Sequence, residues 1–83
     1  MIVGAQIRAA RALLGWTQKQ LADRSGVGFN TVQRAEQADG AISGTVSTVM
    51  KLQSALENEG IIFLEAEEGV GPGVRLRNAP SNS

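Results

Sequence analysis

The stretch Trp16-Thr17-Gln18-Lys19-Gln20-Leu21 signals a helix start twice over. Thr17 is placed to cap the first turn, and Gln20, three residues on, reaches back to the backbone, a capping box. Trp16 and Leu21 hold the positions of a hydrophobic staple across the same turn. Gly15 stands just before this start, and Gly26 follows where a left-handed turn residue suits. A short helix so tightly bounded on both sides can only fold by packing on its neighbours in sequence.

Those neighbours are also helical. Val3, Ile7, Ala10 and Leu14 recur at helical spacing, with Arg8 and Arg11 between them, so a first helix fits residues 4–14 and ends at Gly15. The second helix runs from Thr17 to about Arg24. The third begins near Gly28, carries Val32 and Ala35 inward and ends around Asp39-Gly40; Val27 and Val32 again have staple spacing. Residues 41–44 form a loop. A fourth helix covers about 45–58, with Val46, Val49, Met50, Leu52 and Leu56 as an apolar stripe expected in the core, and Gly60 stops it.

The pattern then changes. Ile61-Ile62-Phe63-Leu64 is a short β-branched and aromatic run, residues 65–73 hold three glycines and a proline, and Val74-Arg75-Leu76-Arg77 alternates with period two. That is a β-hairpin with a long, flexible connection. A two-stranded hairpin is marginal alone, so it must pack on the helices or be completed by another chain through strand pairing or exchange. Residues 78–83 are small and polar, a frayed, disordered tail. The expected fold is mainly α: a compact four-helix helix-turn-helix domain over residues 1–60, followed by a hairpin at 61–77 that offers a dimerisation element.

Composition narrows the function. The chain has 83 residues and no cysteine, histidine or tyrosine. A domain of this size buries roughly 60–65% of its unfolded surface. Disulfides and thiolate metal sites are excluded, and the commonest general base, zinc ligand and thiol nucleophile are missing together. We therefore expect no enzyme, no cofactor and no metal. No apolar run approaches the roughly 20 residues that span a bilayer. The N-terminus lacks the basic and apolar blocks of a signal peptide. A cytoplasmic protein with no membrane partner is the expectation.

The formal net charge is zero, but the charges are not evenly spread. Residues 1–34 hold Arg8, Arg11, Lys19, Arg24 and Arg34 against Asp23 alone. Residues 35–68 hold Lys51 against Glu36, Asp39, Glu57, Glu59, Glu65, Glu67 and Glu68. Such polarity either marks one face for an anionic partner or is a solvated distribution without a role.

A short helix, a glycine turn and a second helix form a helix-turn-helix unit, an outline that many helical proteins share. Here the runs "IRAARALLGWTQKQLADRSGVGFNTVQRAEQ" and "TVSTVMKLQSALE" resemble the Cro and phage-repressor type of helix-turn-helix domain, the xenobiotic-response-element family of bacterial regulators. Thr17-Gln18 matches the opening of the family's motif. Ala22 matches its small residue, Gly26 its turn glycine, and Val27, Val32 and Ala35 its inward apolar positions. Two positions depart from the pattern. Gly28 stands where Ser or Thr commonly caps the recognition helix, a difference of only a few tenths of a kcal/mol. Ala35 stands where Leu or Ile is frequent.

The resemblance implies a double-stranded DNA operator as partner, with the third helix in the major groove. Phe29, Asn30, Gln33 and Arg34 then project from roughly one face, opposite Val32 and Ala35. Asn30 suits an adenine edge, Arg34 a guanine, Gln33 an adenine or a phosphate, and Phe29 a thymine methyl. Phe29 has a second reading, folded back into the core. Thr17, Gln18 and the amides at the start of the second helix suit a phosphate. Lys19 either adds charge there or is solvated, and Thr31 either meets the backbone or caps. Ser43 and Thr45 are further phosphate contacts that position without specifying sequence. Arg11 and Glu36 match a pair that bridges the first and third helices in the family.

One such domain meets few base pairs, so a homodimer reading two half-sites is expected, most simply a steric repressor. A second reading, from another class, is a protein-interaction module. It would be an antitoxin or antiactivator whose acidic hairpin meets a basic regulatory protein.

Overall fold

The computed structural model describes residues 2–37 and 46–78. The expected end of the third helix at Asp39-Gly40, the loop 41–44 with Ser43, and Thr45 lie outside the described residues. The elements are α1 (Gly4–Leu14), α2 (Gln18–Ser25), α3 (Phe29–Gln37), α4 (Val46–Asn58), β1 (Ile61–Leu64) and β2 (Gly73–Leu76). The fold is four helices with a two-stranded antiparallel hairpin at the C-terminal end.

Local chemistry sets the boundaries around α2. Gly15 takes a left-handed conformation (φ 70°). The Trp16 amide donates to the Arg11 carbonyl at 2.9 Å and the Gly15 amide to Ala12 at 3.2 Å, a Schellman ending. Thr17 Oγ1 accepts from the Gln20 amide at 3.1 Å, and the Thr17 amide donates to Gln20 Oε1 at 2.8 Å. This reciprocal box is worth about 1 kcal/mol at the cap. Gly26 (φ 73°) ends α2 with a single bond from its amide to the Ala22 carbonyl.

Ile7, Leu21, Val32, Leu52 and Leu56 are fully buried, joined by Ala10, Ala22, Ala35, Val49 and Ile61. Trp16 and Val27 pack against this cluster. α1 packs on α3 and β2, α2 on α3 and α4, and α4 on β1. One expectation is corrected here. Val46 and Met50 are 65% and 60% exposed, not core. The inward arc of α4 is instead Val49, Leu52, Ala55 and Leu56; at 100° per residue Val46 and Met50 lie on the flank of the stripe away from Ala55, beyond that arc.

The hairpin packs within its own chain. Ile61 pairs with Leu76 and Leu64 with Gly73, so β2 starts one residue earlier than its alternation suggested. Phe63, Val74 and Leu76 lie against the core. Gln6, buried on α1, completes the docking. Its Nε2 donates to the carbonyls of Leu64 (3.1 Å) and Gly73 (2.9 Å), and its Oε1 accepts from the Val3 amide (2.8 Å). The connection is itself folded: Glu67 and Val70 exchange two backbone hydrogen bonds, each 2.9 Å, around Gly69.

Candidate nucleic-acid interface

The third helix has two unlike faces. Val32, Ala35 and Glu36 are buried. Phe29, Asn30 and Arg34 are exposed, and Gln33 and Thr31 are half-buried. Phe29, at 44% exposure, is not a core residue. It forms one wall of an open groove with Lys19, Ala22, Asp23, Val27 and Gly28, between the start of α2 and the start of α3. Ala22, Val27 and Phe29 are its apolar members, and Lys19 and Asp23 bring one charge of each sign. The four residues expected to read bases therefore share one helix with their chemistry facing outward or along its flank.

Glu36 holds this helix against the rest. Its side chain is 2% exposed. Arg11 grips both carboxylate oxygens, Nε to Oε2 at 2.8 Å and Nη2 to Oε1 at 2.9 Å. Its remaining Nη1 donates to the Trp16 carbonyl at 2.9 Å. Gln18 Nε2 donates to the same Oε1 at 3.2 Å. Arg8 Nη1 donates to the Glu36 main-chain carbonyl. That cation sits at the C-terminal end of α3, where the helix dipole favours it. Hydrogen bonding to Glu36 holds the Arg11 guanidinium above its ordinary range; burial opposes the shift and charge attraction adds to it. Because the value is raised, deprotonation of the guanidinium removes this stabilisation only as pH rises through that range.

These contacts revise the charge reading of the sequence. Of the five cations in residues 1–34, three have partners inside the chain. Arg8 and Arg11 serve Glu36. Arg24 pairs with Glu59 at 3.0 Å and stacks on Trp16 at 5.2 Å from the ring centroid. Lys19 and Arg34 take part in no ion pair or hydrogen bond of their side chains among the described residues and are exposed. Sequence reasoning missed Arg8. The signal was its place one turn before Arg11 on the same face of α1.

Around the start of α2, Thr17 is exposed, Gln18 half-buried and Lys19 exposed. The Thr17 oxygen is occupied as the cap, but its O–H proton is still free to donate. Gln18 touches Glu36 through one amide proton and keeps a second. Ser43 and Thr45, expected phosphate contacts, lie outside the described residues. No group of acidic, histidine or cysteine side chains suited to a metal ion occurs among the described residues. No helix among them is long and apolar enough to cross a membrane.

Two short helices joined at Gly26, with a polar outward row on the second, define a helix-turn-helix unit. The comparison with family models agrees: a helix-turn-helix model of the Cro/C1 type matches residues 7–57. The chain belongs to that family of DNA-binding regulators. No curated protein matches it.

Proposed function

We propose that the protein is a dimeric, sequence-specific transcriptional repressor, reading the major groove with the helix at about 28–38. The observation that carries this reading is the outward row on α3. Phe29, Asn30 and Arg34 are exposed on a helix whose opposite side is buried and clamped through Glu36. A rigid helix with free polar ends is what base readout requires, since misplacement of a bidentate contact loses it.

Each residue has a role in this reading. Asn30 and Gln33 take adenine edges, Arg34 a guanine, and Phe29 with its groove a thymine methyl. Thr17, Gln18, Lys19 and Thr31 hold phosphates, with Ser43 and Thr45 following the strand, and these contacts fix register. Arg11 and Glu36 position the reading helix. Residues 1–60 act as the DNA-binding unit and 61–77 as the dimerisation element. A DNA partner makes the cytoplasm the site of action. Repression follows from occupancy, because a dimer on a promoter excludes polymerase.

The test is selection of bound sites from a random duplex pool at fixed salt, since affinity depends steeply on it. The reading expects an enriched two-fold symmetric site with half-sites about 34 Å apart. A pool that yields no enriched sequence rejects it, and pull-down of a basic protein partner would then favour the interaction module.

A further inference from the structure

Position 28 holds a glycine that the fold does not require. The Val32 amide donates to the Gly28 carbonyl at 3.0 Å, which makes Gly28 the N-cap of α3. A serine, threonine, aspartate or asparagine there would also accept from a first-turn amide, and glycine cannot. Among the described residues the glycines with left-handed backbone are Gly15, Gly26, Gly60 and Gly69, so conformation does not demand one at 28. A Cβ on Gly28 would meet Thr31 Oγ1 at 3.9 Å, an ordinary contact. Gly28 is exposed and lines the groove with Ala22, Val27 and Phe29. What the missing side chain provides is open backbone beside the Phe29 ring.

Asp23, in the same groove, is also out of place. It lies in the last turn of α2, where the helix dipole favours a cation. It is the one acid of residues 1–34, on a unit that meets a polyanion. It is exposed, and among the described residues its carboxylate makes no ion pair, the pairs being Arg11–Glu36 and Arg24–Glu59. Neither helix energetics nor a phosphate partner explains it.

Phe29 and Asn30, both exposed, open α3, so the groove runs into the row that faces base edges. An apolar wall, space beside it and an acceptor-only group together match one edge of a base. In the major groove a pyrimidine presents its C5 and C4 substituents side by side. A methyl at C5 suits an apolar wall. At C4 thymine carries an oxygen, which accepts, and cytosine an amino group, which donates. A carboxylate only accepts, so it pairs with the amino group and repels the oxygen.

We propose that the groove at Gly28 and Phe29 is a subsite for a C5-methylated pyrimidine, and that its preferred occupant is 5-methylcytosine in the bound DNA. The methyl lies against Phe29, Ala22 and Val27, in space that Gly28 leaves open. The N4 amino group donates to Asp23. Thymine supplies the same methyl but sets O4 against the carboxylate, so it is the weaker occupant. Lys19 stands one turn before Asp23, nearer the start of α2, and keeps its phosphate. This inference rests on the DNA-binding reading above and deepens it: affinity follows the methylation state of the site.

Fluorescence anisotropy at one fixed salt concentration tests it on the selected site, with one pyrimidine varied at a time in both half-sites. Cytosine, 5-methylcytosine, thymine and deoxyuridine are placed at each position, each with its Watson–Crick partner. At one position wild type is expected to favour 5-methylcytosine over cytosine, and thymine over deoxyuridine, by about fourfold per half-site, as one buried methyl-sized group does. Gly28→Ser should bring that methyl effect below about twofold while the melting temperature holds or rises, since the serine adds a cap. Phe29→Ala should also abolish the methyl effect, and it carries the test if circular dichroism shows the serine variant unfolded. Asp23→Asn, whose amide serves either edge, should keep the methyl effect and shift the 5-methylcytosine-to-thymine affinity ratio toward thymine by at least about fivefold. The partner purine is the same for both proteins and cancels in that comparison. No methyl effect at any pyrimidine, a methyl effect that survives both groove substitutions, or a ratio unmoved by Asp23→Asn would overturn the assignment. Tight binding of the unmodified selected site in the same titrations separates these outcomes from failure of the DNA-binding reading.

Discussion

Arg11 and Glu36, twenty-five positions apart in the chain, meet through two parallel hydrogen bonds of 2.8 and 2.9 Å, with the carboxylate almost wholly out of water. The pair connects α1 to the helix that carries the outward row. A buried carboxylate with its partner removed is much worse than no ion pair at all. Arg11→Ala should therefore lower unfolding stability by about 3–5 kcal/mol in urea titration. Arg11→Met with Glu36→Leu should recover most of that loss. Recovery of stability without recovery of DNA affinity would show that the pair orients α3 as well as stabilising it.

Phe29 is exposed at the mouth of its groove, so its removal should be felt by the ligand more than by the fold. Phe29→Ala is expected to change stability by less than about 1 kcal/mol, as a surface substitution does. It should weaken binding to the selected site and reduce the penalty for replacing the contacted thymine by deoxyuridine, both read by fluorescence anisotropy. A large drop in melting temperature would instead mean that the ring supports the core.

The pairing of Arg8, Arg11 and Arg24 inside the chain limits the charge left for phosphates. With Lys19 alone, or Lys19 and Arg34, acting in each of two protomers, the slope of log K against log salt should fall between about −2 and −4. Lys19→Ala should make the dimer's slope shallower by about 2, one unit per protomer, with little change in sequence preference. A slope near −8 would mean that cations beyond Lys19 and Arg34, either the internally paired arginines or those outside residues 1–34, also meet phosphates.

Gln6 satisfies two hairpin carbonyls and one amide from a position 4% exposed. Gln6→Leu keeps the volume but leaves those groups unpaired, each at about 1–3 kcal/mol where it is shut off from water. Amide exchange should accelerate across β1 and β2 before it does in α1–α3, with a lowered melting temperature. Uniform acceleration throughout the chain would mean that the hairpin does not open separately.

The sequence showed most where the chemistry is local. The Thr17–Gln20 box, the Gly15 and Gly26 endings and the switch from helical to alternating pattern at Ile61 involve residues within a few positions of one another, and each is present in the fold. Arrangements that depend on distant partners were not readable. Gln6 is an unremarkable polar residue until Leu64 and Gly73, 58 and 67 positions away, are brought to it. Arg24 counted as a basic-face residue until Glu59 arrived beside it. Val46 and Met50 fit the apolar period of α4, but periodicity gives the direction of a stripe and not the width of the arc its neighbours cover. For the candidate site, the helix that bears it follows from residue pattern, and the Arg11–Glu36 pair was suggested by family resemblance. The added grips of Gln18 and Arg8 on Glu36 come only from geometry.

The most direct measurement is fluorescence anisotropy on the selected duplex and on a scrambled duplex of equal composition, at one fixed salt concentration, with wild type and Arg34→Ala. The account predicts tight wild-type binding to the selected site only. It also predicts a loss of about 1–3 kcal/mol in Arg34→Ala on that site, with the weak scrambled-site binding little changed. Equal affinity for the two duplexes, or an Arg34→Ala variant that binds the selected site as wild type does, would contradict readout through the third helix.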